Sequence, residues 1–97
     1  MKNYTITVFS ESNAAVLDTI MSVFSYRNIN IDRVKTEKSS VAGIRRFIIN
    51  VSTNNNRMEN VARQIEKNVF ILKANIQHMH NELTETEEKN ILKNYIN

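Results

Sequence analysis

The spacing of apolar residues limits what this 97-residue chain can fold into more than any other feature of it. Apolar side chains recur at every second position in some segments, as in half-buried strands, and at helical spacing in others. The predicted strands cover 4–9, 29–38, 44–52 and 69–79, and the predicted helices cover 13–26 and the segment between Asn56 and Asn68. The chain therefore has the order strand, helix, strand, strand, helix, strand.

Polar residues mark the ends of these elements. Asn28 can adopt the left-handed conformation that ends a helix where glycine is missing, and Asn68 can end the second helix in the same way. Asn56 followed by Glu59 resembles a capped helix start, and the apolar phase of the second strand slips near 32–33, which predicts a β-bulge. Two split βαβ units of this size form a four-stranded antiparallel sheet with both helices on one face. We therefore predict an α+β fold, the ferredoxin-like βαββαβ sandwich.

The sequence divides into one domain, residues 1–80, and a C-terminal helical tail, residues 81–97. In the tail, Thr84 with Glu87 fits a capping box, and a short apolar stripe follows. A lone helix of about 12 residues is marginal in water. The tail therefore either docks on this domain or on a partner, or it frays.

Composition excludes several kinds of site. The chain has no cysteine and a single glycine, Gly43, which rules out disulfides, thiolate metal sites and glycine-rich phosphate loops. Its formal net charge of +3 is too small to indicate nucleic acid by itself. The N-terminus has no apolar signal run, and no stretch approaches the roughly 20 apolar residues of a membrane-spanning helix. We expect a cytoplasmic protein that binds no membrane.

Catalytic and metal-binding constellations are scarce. The only histidines, His78 and His80, lie near a strand end without an obvious third ligand, so we expect solvated histidines and no metal. No pair of carboxylates stands out as general acid and base. The loop before the first helix has no glycine, unlike the anion loop of acylphosphatases, which share this fold. We therefore expect no catalytic residues.

Basic residues cluster on the second and third strands. Arg45 and Arg46 begin the third strand, and the neighbouring strand carries Arg33, Lys35 and Lys38. RNA-recognition motifs stack bases on sheet aromatics, whereas the third strand here has one aromatic residue and no such repeat, so no nucleic acid is expected. Two interpretations of the basic cluster are left: a solvated basic face, or a face that binds an acidic protein partner. We choose Arg45 and Arg46, aided by the terminal helix, as partner-binding residues.

Two polar positions are candidates for binding a ligand. Residues 10–15 lead into the first helix, where free N–H groups and the helix dipole favour an anion such as a carboxylate. Alternatively, Ser12 or Asn13 merely caps the helix. Asn30 lies between two isoleucines, so we expect it to be partly buried and either satisfied structurally or aimed at a ligand.

The predicted helices leave half of the sandwich uncovered. The other sheet face and the edge strands favour pairing, so we expect a homodimer about a two-fold axis. Phe70, on an otherwise polar phase of the last strand, is either a candidate contact or an incidental exposed aromatic residue.

The run from Tyr4 to about Ala74 resembles the ACT domain of the small regulatory subunit of acetolactate synthase, also called acetohydroxyacid synthase. The matching pieces are Tyr4-Thr5-Ile6-Thr7-Val8, Val16-Leu17 with Ile20 and Phe24, Arg27-Asn28-Ile29-Asn30-Ile31-Asp32, Gly43-Ile44-Arg45-Arg46-Phe47, Arg63-Gln64-Ile65-Glu66-Lys67 and Ile71-Leu72-Lys73-Ala74. They occur in order and nearly without gaps.

The resemblance implies a non-catalytic regulatory subunit that binds a thiamine-diphosphate enzyme of branched-chain amino-acid biosynthesis. Thiamine diphosphate and Mg²⁺ are expected only on that large catalytic subunit, and no cofactor is expected on this chain. The resemblance also implies paired ACT domains with a branched-chain amino-acid effector, usually valine, at their interface. The effector-binding residues that it implies are Ser12, Asn13, Ala14, Ala15, Val16 and Asn30.

The chain departs from the family pattern at the effector loop. Where the pattern has asparagine and glycine, this chain has Ser12 and Ala15, whereas Asn30 is kept. Ser12 lacks the amide of asparagine, and the Ala15 methyl group stands where glycine would let a ligand approach the backbone. One lost charge-assisted hydrogen bond costs about 1.5–3 kcal/mol, roughly 10- to 150-fold in affinity. We therefore expect weakened valine control with subunit association retained; the alternative is a stand-alone ACT-like amino-acid sensor acting on another protein.

Overall fold

The computed structural model describes residues 2–11, 15–79 and 81–95, with the side chain of Asn55 excluded. The strands are β1 (Lys2–Glu11), β2 (Ile31–Lys38), β3 (Ile44–Thr53) and β4 (Ile71–His78). The helices are α1 (Val16–Tyr26), α2 (Asn55–Glu66) and α3 (Glu85–Leu92), and a 3₁₀ turn, Lys93–Tyr95, follows α3. The predicted order of strands and helices is confirmed.

The four strands form one antiparallel sheet in the order β2-β3-β1-β4. Ile6, near the middle of β1, lies opposite Ile49 of β3 and Ile76 of β4. The predicted slip in β2 is confirmed as a shift of register between Ile31 and Arg33. Because α1 and α2 pack on one face of this sheet, the fold is the predicted ferredoxin-like sandwich.

The main core lies between the sheet and the first two helices. Tyr4, Ile6 and Val8 alternate along β1 and are fully buried there. The helix residues that meet the sheet are Val16, Ile20, Val23 and Phe24 of α1, and Met58, Val61, Ala62 and Ile65 of α2. Full burial of one large apolar side chain stabilises the fold by about 1.5–3 kcal/mol, so these two helical stripes determine which sheet face the helices cover.

The second face of the sheet is covered by the C-terminal segment, so our expectation of an open face is wrong. Phe9, on the side of β1 away from the main core, is buried with Leu83 and Leu92. Val41, Ile44, Leu72 and Ile91 pack around these three residues. The chain turns onto this face at Met79, whose φ is 65° and whose carbonyl oxygen accepts a 3.1 Å hydrogen bond from Thr5 Oγ1. The tail therefore docks on its own domain.

A buried ion pair holds α3 against the sheet. The Glu88 carboxylate accepts hydrogen bonds from the Arg46 guanidinium, with 2.8 Å between Oε2 and Nη1, and from Ser39 Oγ. The Glu88 side chain is only 2% exposed, and Arg46 also pairs with Glu37. Both carboxylates therefore converge on one guanidinium beneath the helix.

The signals at two helix ends are confirmed. Asn28 has a left-handed φ of 57° and turns the chain from α1 towards β2. Thr84 and Glu87 form the predicted capping box at the start of α3, with each side chain accepting a hydrogen bond from the other residue's backbone N–H. Both motifs act within a few residues, which is why they can be identified in the sequence.

The capping residues predicted for both ends of α2 are wrong. The helix is capped by Asn54, whose Oδ1 accepts a 3.0 Å hydrogen bond from the Arg57 N–H, and not by Asn56. Asn54 has the extended backbone that a capping residue requires, whereas Asn56 already lies inside the helix. Asn68 has no positive φ; its Oδ1 accepts a hydrogen bond from the Phe70 N–H, which closes a turn into β4.

Candidate functional site

The turn between β1 and α1 is the first candidate region. β1 ends at Glu11, and α1 begins at Val16 instead of the predicted residue 13. Three of the predicted effector-binding residues, Ser12, Asn13 and Ala14, lie outside the described residues. Ala15 occupies the N-cap position, and its methyl side chain makes no capping hydrogen bond. The N-terminal turn of a helix favours an anion through its N–H groups and the helix dipole.

Ser10 lies at the entrance to this turn and was missed by the sequence analysis. It is completely buried, and its Oγ has no hydrogen-bond partner among the described residues. A buried hydroxyl left without a partner costs about 1–3 kcal/mol, so a ligand or a water molecule that bonds to it gains affinity. The signal was present in the sequence, because Ser10 continues the buried phase of Ile6 and Val8 with a polar residue.

Two cations lie beside Ser10 on the same side of the sheet. Arg45 of β3 is directly opposite Ser10, and Lys38 of β2 is directly opposite Arg45. Side chains that face each other across antiparallel strands have Cβ atoms about 5 Å apart. A cavity of about 320 Å³ at the β2–β3 hairpin is lined by both cations. Arg45, and Lys38 one strand further away, therefore place positive charge at the end of the sheet where β1 leads to α1, and this charge would attract a carboxylate.

Asn30 lies at the other end of the sheet. It immediately precedes β2, and Ile31 is in register with Val51, which in turn is opposite Tyr4. Glu11 lies seven positions after Tyr4 along β1, a length of about 23 Å at the usual rise per residue. Within one protomer, Asn30 therefore does not meet Ala15 or Val16.

The expected burial of Asn30 is also wrong. Its side chain is exposed, whereas Ile29 is buried in the main core and Ile31 is half-buried against it. The left-handed residue Asn28 turns the chain here, so Asn30 lies in the connection and not within the strand. The two flanking isoleucines therefore did not predict whether the Asn30 side chain is buried.

The two arginines predicted to bind a partner lie on opposite faces of the sheet. Arg45 is half-buried and lies on the helix side, next to Ser10. Arg46 is bound to Glu37 and Glu88 beneath α3, and its side chain is 18% exposed. The structure therefore does not bring these guanidinium groups together, and only Arg45 is placed to meet another molecule.

The histidine pair provides little basis for a metal site. His78 is exposed at the end of β4, with its ring centroid 5.2 Å from that of Tyr4. His80 lies outside the described residues. Within residues 2–11, 15–79 and 81–95, no group of three or more histidine or carboxylate side chains is placed to hold a metal ion.

The two edges of the sheet differ in how their backbone groups are bound. On β4, the Ala74 N–H donates to Glu66 (2.9 Å), and the Leu72 carbonyl oxygen accepts from Tyr95 (3.0 Å). No side chain in the described part of the chain bonds to the backbone of β2, whose residues Asp32 to Val34 are exposed. Phe70, the other candidate contact, is half-buried against the main core. β2 is therefore the edge that is free to pair.

No protein-family model matches the chain, and a comparison with curated proteins finds no relative. None of the helices in the described residues is long and apolar enough to cross a membrane. Evidence from known proteins therefore comes from structure alone.

Solved structures show the same arrangement of elements. The small subunit of acetolactate synthase from Thermotoga maritima is 19% identical, with a TM-score of 0.69 over 80% of this chain. An ACT domain of GTP pyrophosphokinase from Chlorobium tepidum is 14% identical, with a TM-score of 0.64 over 78% of this chain and 97% of that one. An ACT domain protein from Streptococcus pneumoniae is 16% identical, with a TM-score of 0.64 over 79% of this chain and 89% of that one.

The lengths of these proteins also differ. The chain spans 47% of the Thermotoga maritima subunit. Identities below 20% leave the partners and ligands of those proteins as proposals for this one. What the geometry does establish is the architecture: the chain has the fold of ACT domains.

Proposed function

We propose that this chain is a non-catalytic regulatory subunit of acetolactate synthase. It binds the large, thiamine-diphosphate-dependent subunit and modulates branched-chain amino-acid biosynthesis. The motif resemblance from Tyr4 to Ala74 supports this role, and so does the structural similarity over 80% of the chain to the small subunit from Thermotoga maritima.

The position of Asn30 is the observation that carries the proposal. Asn30 and the β1–α1 turn lie about 23 Å apart along the sheet of one protomer. Antiparallel pairing of two β2 edges about a two-fold axis reverses one copy. It thereby directs Asn30 of each protomer towards the α1 start of its partner. An effector that needs both elements therefore binds between two copies, and the homodimer is part of the proposed function.

The proposed effector is an amino acid whose carboxylate binds at the start of α1. Ser10 and Arg45 lie at that end of the sheet and provide a hydroxyl and a positive charge. Ser12 and Ala15 replace the family's asparagine and glycine, so valine should bind roughly 10- to 150-fold more weakly than in a protein that keeps the asparagine. Calorimetric titration with valine tests this expectation, and a micromolar dissociation constant would contradict it.

Co-purification tests the association itself. A tagged form of this chain should retain the acetolactate synthase catalytic subunit of the same organism and raise its activity. Arg45→Glu should weaken retention without unfolding the domain, since Arg45 has no role in the ion pair beneath α3. Absence of the catalytic subunit from the eluate at micromolar concentrations of both proteins would reject the proposal.

A second candidate function is a stand-alone ACT-like amino-acid sensor that acts on another protein. It is favoured by the similarity to the Streptococcus pneumoniae ACT domain protein, 89% of whose length is matched. The co-purification experiment separates the two functions, because only the first requires a thiamine-diphosphate enzyme in the complex.

A further inference from the structure

A groove crosses the outer surface of the helix layer between α1 and α2. It consists of two adjoining depressions that share Tyr26 and Gln64. One half is lined by Thr19, Ser22 and Val23 of α1, which carry no charge. The other half is lined by basic residues from both helices. The groove therefore joins an uncharged half to a basic half on the outer side of the two helices, and of its lining residues only Val23 also belongs to the main core.

Tyr26 stands at the junction of the two halves and is 86% exposed. The other aromatic residue of α1, Phe24, is 1% exposed and belongs to the main core. A tyrosine has few rotatable bonds and a large apolar ring, so it provides contact area to a partner at a small entropic cost. Exposed tyrosines and arginines are enriched at the centres of protein interfaces.

The basic half carries more positive charge than its surroundings neutralise. Arg27, Arg63 and Lys67 line it, and Arg57 lies next to Arg27. Among the described residues, only Arg63 has a carboxylate within ion-pair distance, Glu59 at 3.5 Å. Both members of that pair are more than half exposed, so the pair is weak and exchanges readily for another carboxylate.

Hydrogen bonds hold part of this basic half in position. Arg27 Nε donates to Gln64 Oε1 at 3.0 Å, which links the end of α1 to α2. The Arg57 guanidinium donates to the Arg27 carbonyl oxygen at 3.3 Å. Neither bond neutralises a charge, because both acceptors are uncharged. The two guanidinium groups are therefore ordered before a partner binds, which lowers the entropic cost of binding.

We infer that this groove is a docking surface for an acidic segment of a partner protein. Carboxylates of the segment pair with Arg63, Lys67 and the ordered Arg27. An apolar side chain of the segment packs on the exposed ring of Tyr26. The inference goes beyond the effector site, because it assigns a partner surface on the helix layer that the proposed function does not require.

An acidic polypeptide fits the groove better than RNA does. Four cations close to one carboxylate neutralise few phosphates, so the salt-dependent term that dominates RNA affinity would be small. Sequence-tolerant RNA binding also uses several aromatic platforms, whereas Tyr26 is the one aromatic side chain that lines the groove within the described residues. The uncharged half has no role in binding a phosphate backbone but accommodates an apolar side chain.

Fluorescence anisotropy with the full chain tests the inference. The probe is a labelled peptide of alternating glutamate and leucine, and its competitors are a lysine-leucine peptide and a single-stranded RNA of equal charge. The double variant R63E/K67E should lower peptide affinity about tenfold or more, since it reverses two of four cations. Tyr26→Ala should lower it about fivefold.

The matched control is K89E/K93E. These two lysines are also four residues apart, and Lys89 pairs with Glu85 one turn earlier, as Arg63 does with Glu59. They lie in the tail segment on the other sheet face, so this variant should bind the peptide as the natural chain does. Equal losses in both double variants, unchanged binding by R63E/K67E, or tighter binding of RNA than of peptide at the same salt would overturn the inference. Circular dichroism confirms that each variant is folded, and amide chemical-shift changes confined to α1 and α2 would support the site independently.

Discussion

Arg46 and Glu88 show how strongly one residue pair depends on its surroundings. Glu88 lies in an acidic stretch of sequence that is typical of a solvated helix, yet its side chain is 2% exposed beneath the helix that carries it. Removing Glu88 leaves Arg46 with Glu37 alone, and removing Arg46 leaves the buried Glu88 carboxylate without a counter-charge. The pair therefore specifies where α3 docks more than it adds stability.

We predict that Glu88→Gln lowers the free energy of unfolding by about 3 kcal/mol, since Arg46 then loses a buried carboxylate. Urea denaturation measures this loss. Glu85→Gln is the matched control on the same helix, because Glu85 is exposed in an i,i+4 pair with Lys89 and should change stability by no more than about 0.5 kcal/mol. Equal effects of the two substitutions would show that the ion pair does not hold the helix.

For Ser10 we predict the opposite effect on stability, a gain when the polar group is removed. Its hydroxyl is buried without a partner in the described residues, so Ser10→Ala removes a desolvation cost and should raise the free energy of unfolding by about 1 kcal/mol. The same variant should bind a carboxylate effector more weakly. Chemical denaturation without valine measures the change in stability, and the additional stability on adding valine measures the change in binding. A loss of stability on substitution would mean that the hydroxyl is already satisfied.

At the scale of elements, the tail completes the sandwich. α1 and α2 cover one face of the sheet, and Leu83, Ile91 and Leu92 of the tail cover Phe9 on the other. An isolated helix of eight residues is unstable in water. Its stability therefore comes from Leu83, Leu92 and the buried ion pair, and the second face depends on the tail in return.

We predict that Leu92→Ala destabilises the protein by about 2–5 kcal/mol, because Leu92 is fully buried in the second cluster. Truncation after residue 80 should in addition expose Phe9 and increase the fluorescence of a hydrophobic dye. Asn90→Ala, at an exposed position of the same helix, should change stability by no more than about 0.5 kcal/mol. A truncated chain of unchanged stability would show that the second cluster is dispensable.

At the scale of the whole molecule, the two sheet edges differ in a way that bears on the proposed homodimer. Side chains already bind backbone groups of β4, whereas β2 presents its edge to solvent. An unprotected edge strand is a template for pairing with another strand. β2 is therefore the edge through which the proposed two-fold dimer would form, and the proposed effector site requires that arrangement.

We predict that Val34→Lys converts the proposed dimer to a monomer, because it places a charge on the edge strand β2, where Val34 is 39% exposed. Val69→Lys is the control, since Val69 is 83% exposed beyond α2 and away from that edge. Sedimentation velocity should show a monomer for the first variant and a dimer for the second. A natural chain that is monomeric at high micromolar concentration would contradict both the dimer and the shared effector site.

The sequence by itself determined the order of the elements, the bulge in β2, the turn at Asn28 and the capping box at Thr84. These features depend on side-chain periodicity and on hydrogen bonds between residues a few positions apart, so they can be identified in one chain. Tertiary structure decided the burial of Glu88, the exposure of Asn30, the separation of Arg45 from Arg46 and the covering of Phe9. Each of these depends on contacts between residues that are far apart in the chain. The burial and pairing of these residues arise only when the helices and the tail pack on the sheet, so a local sequence pattern cannot predict them.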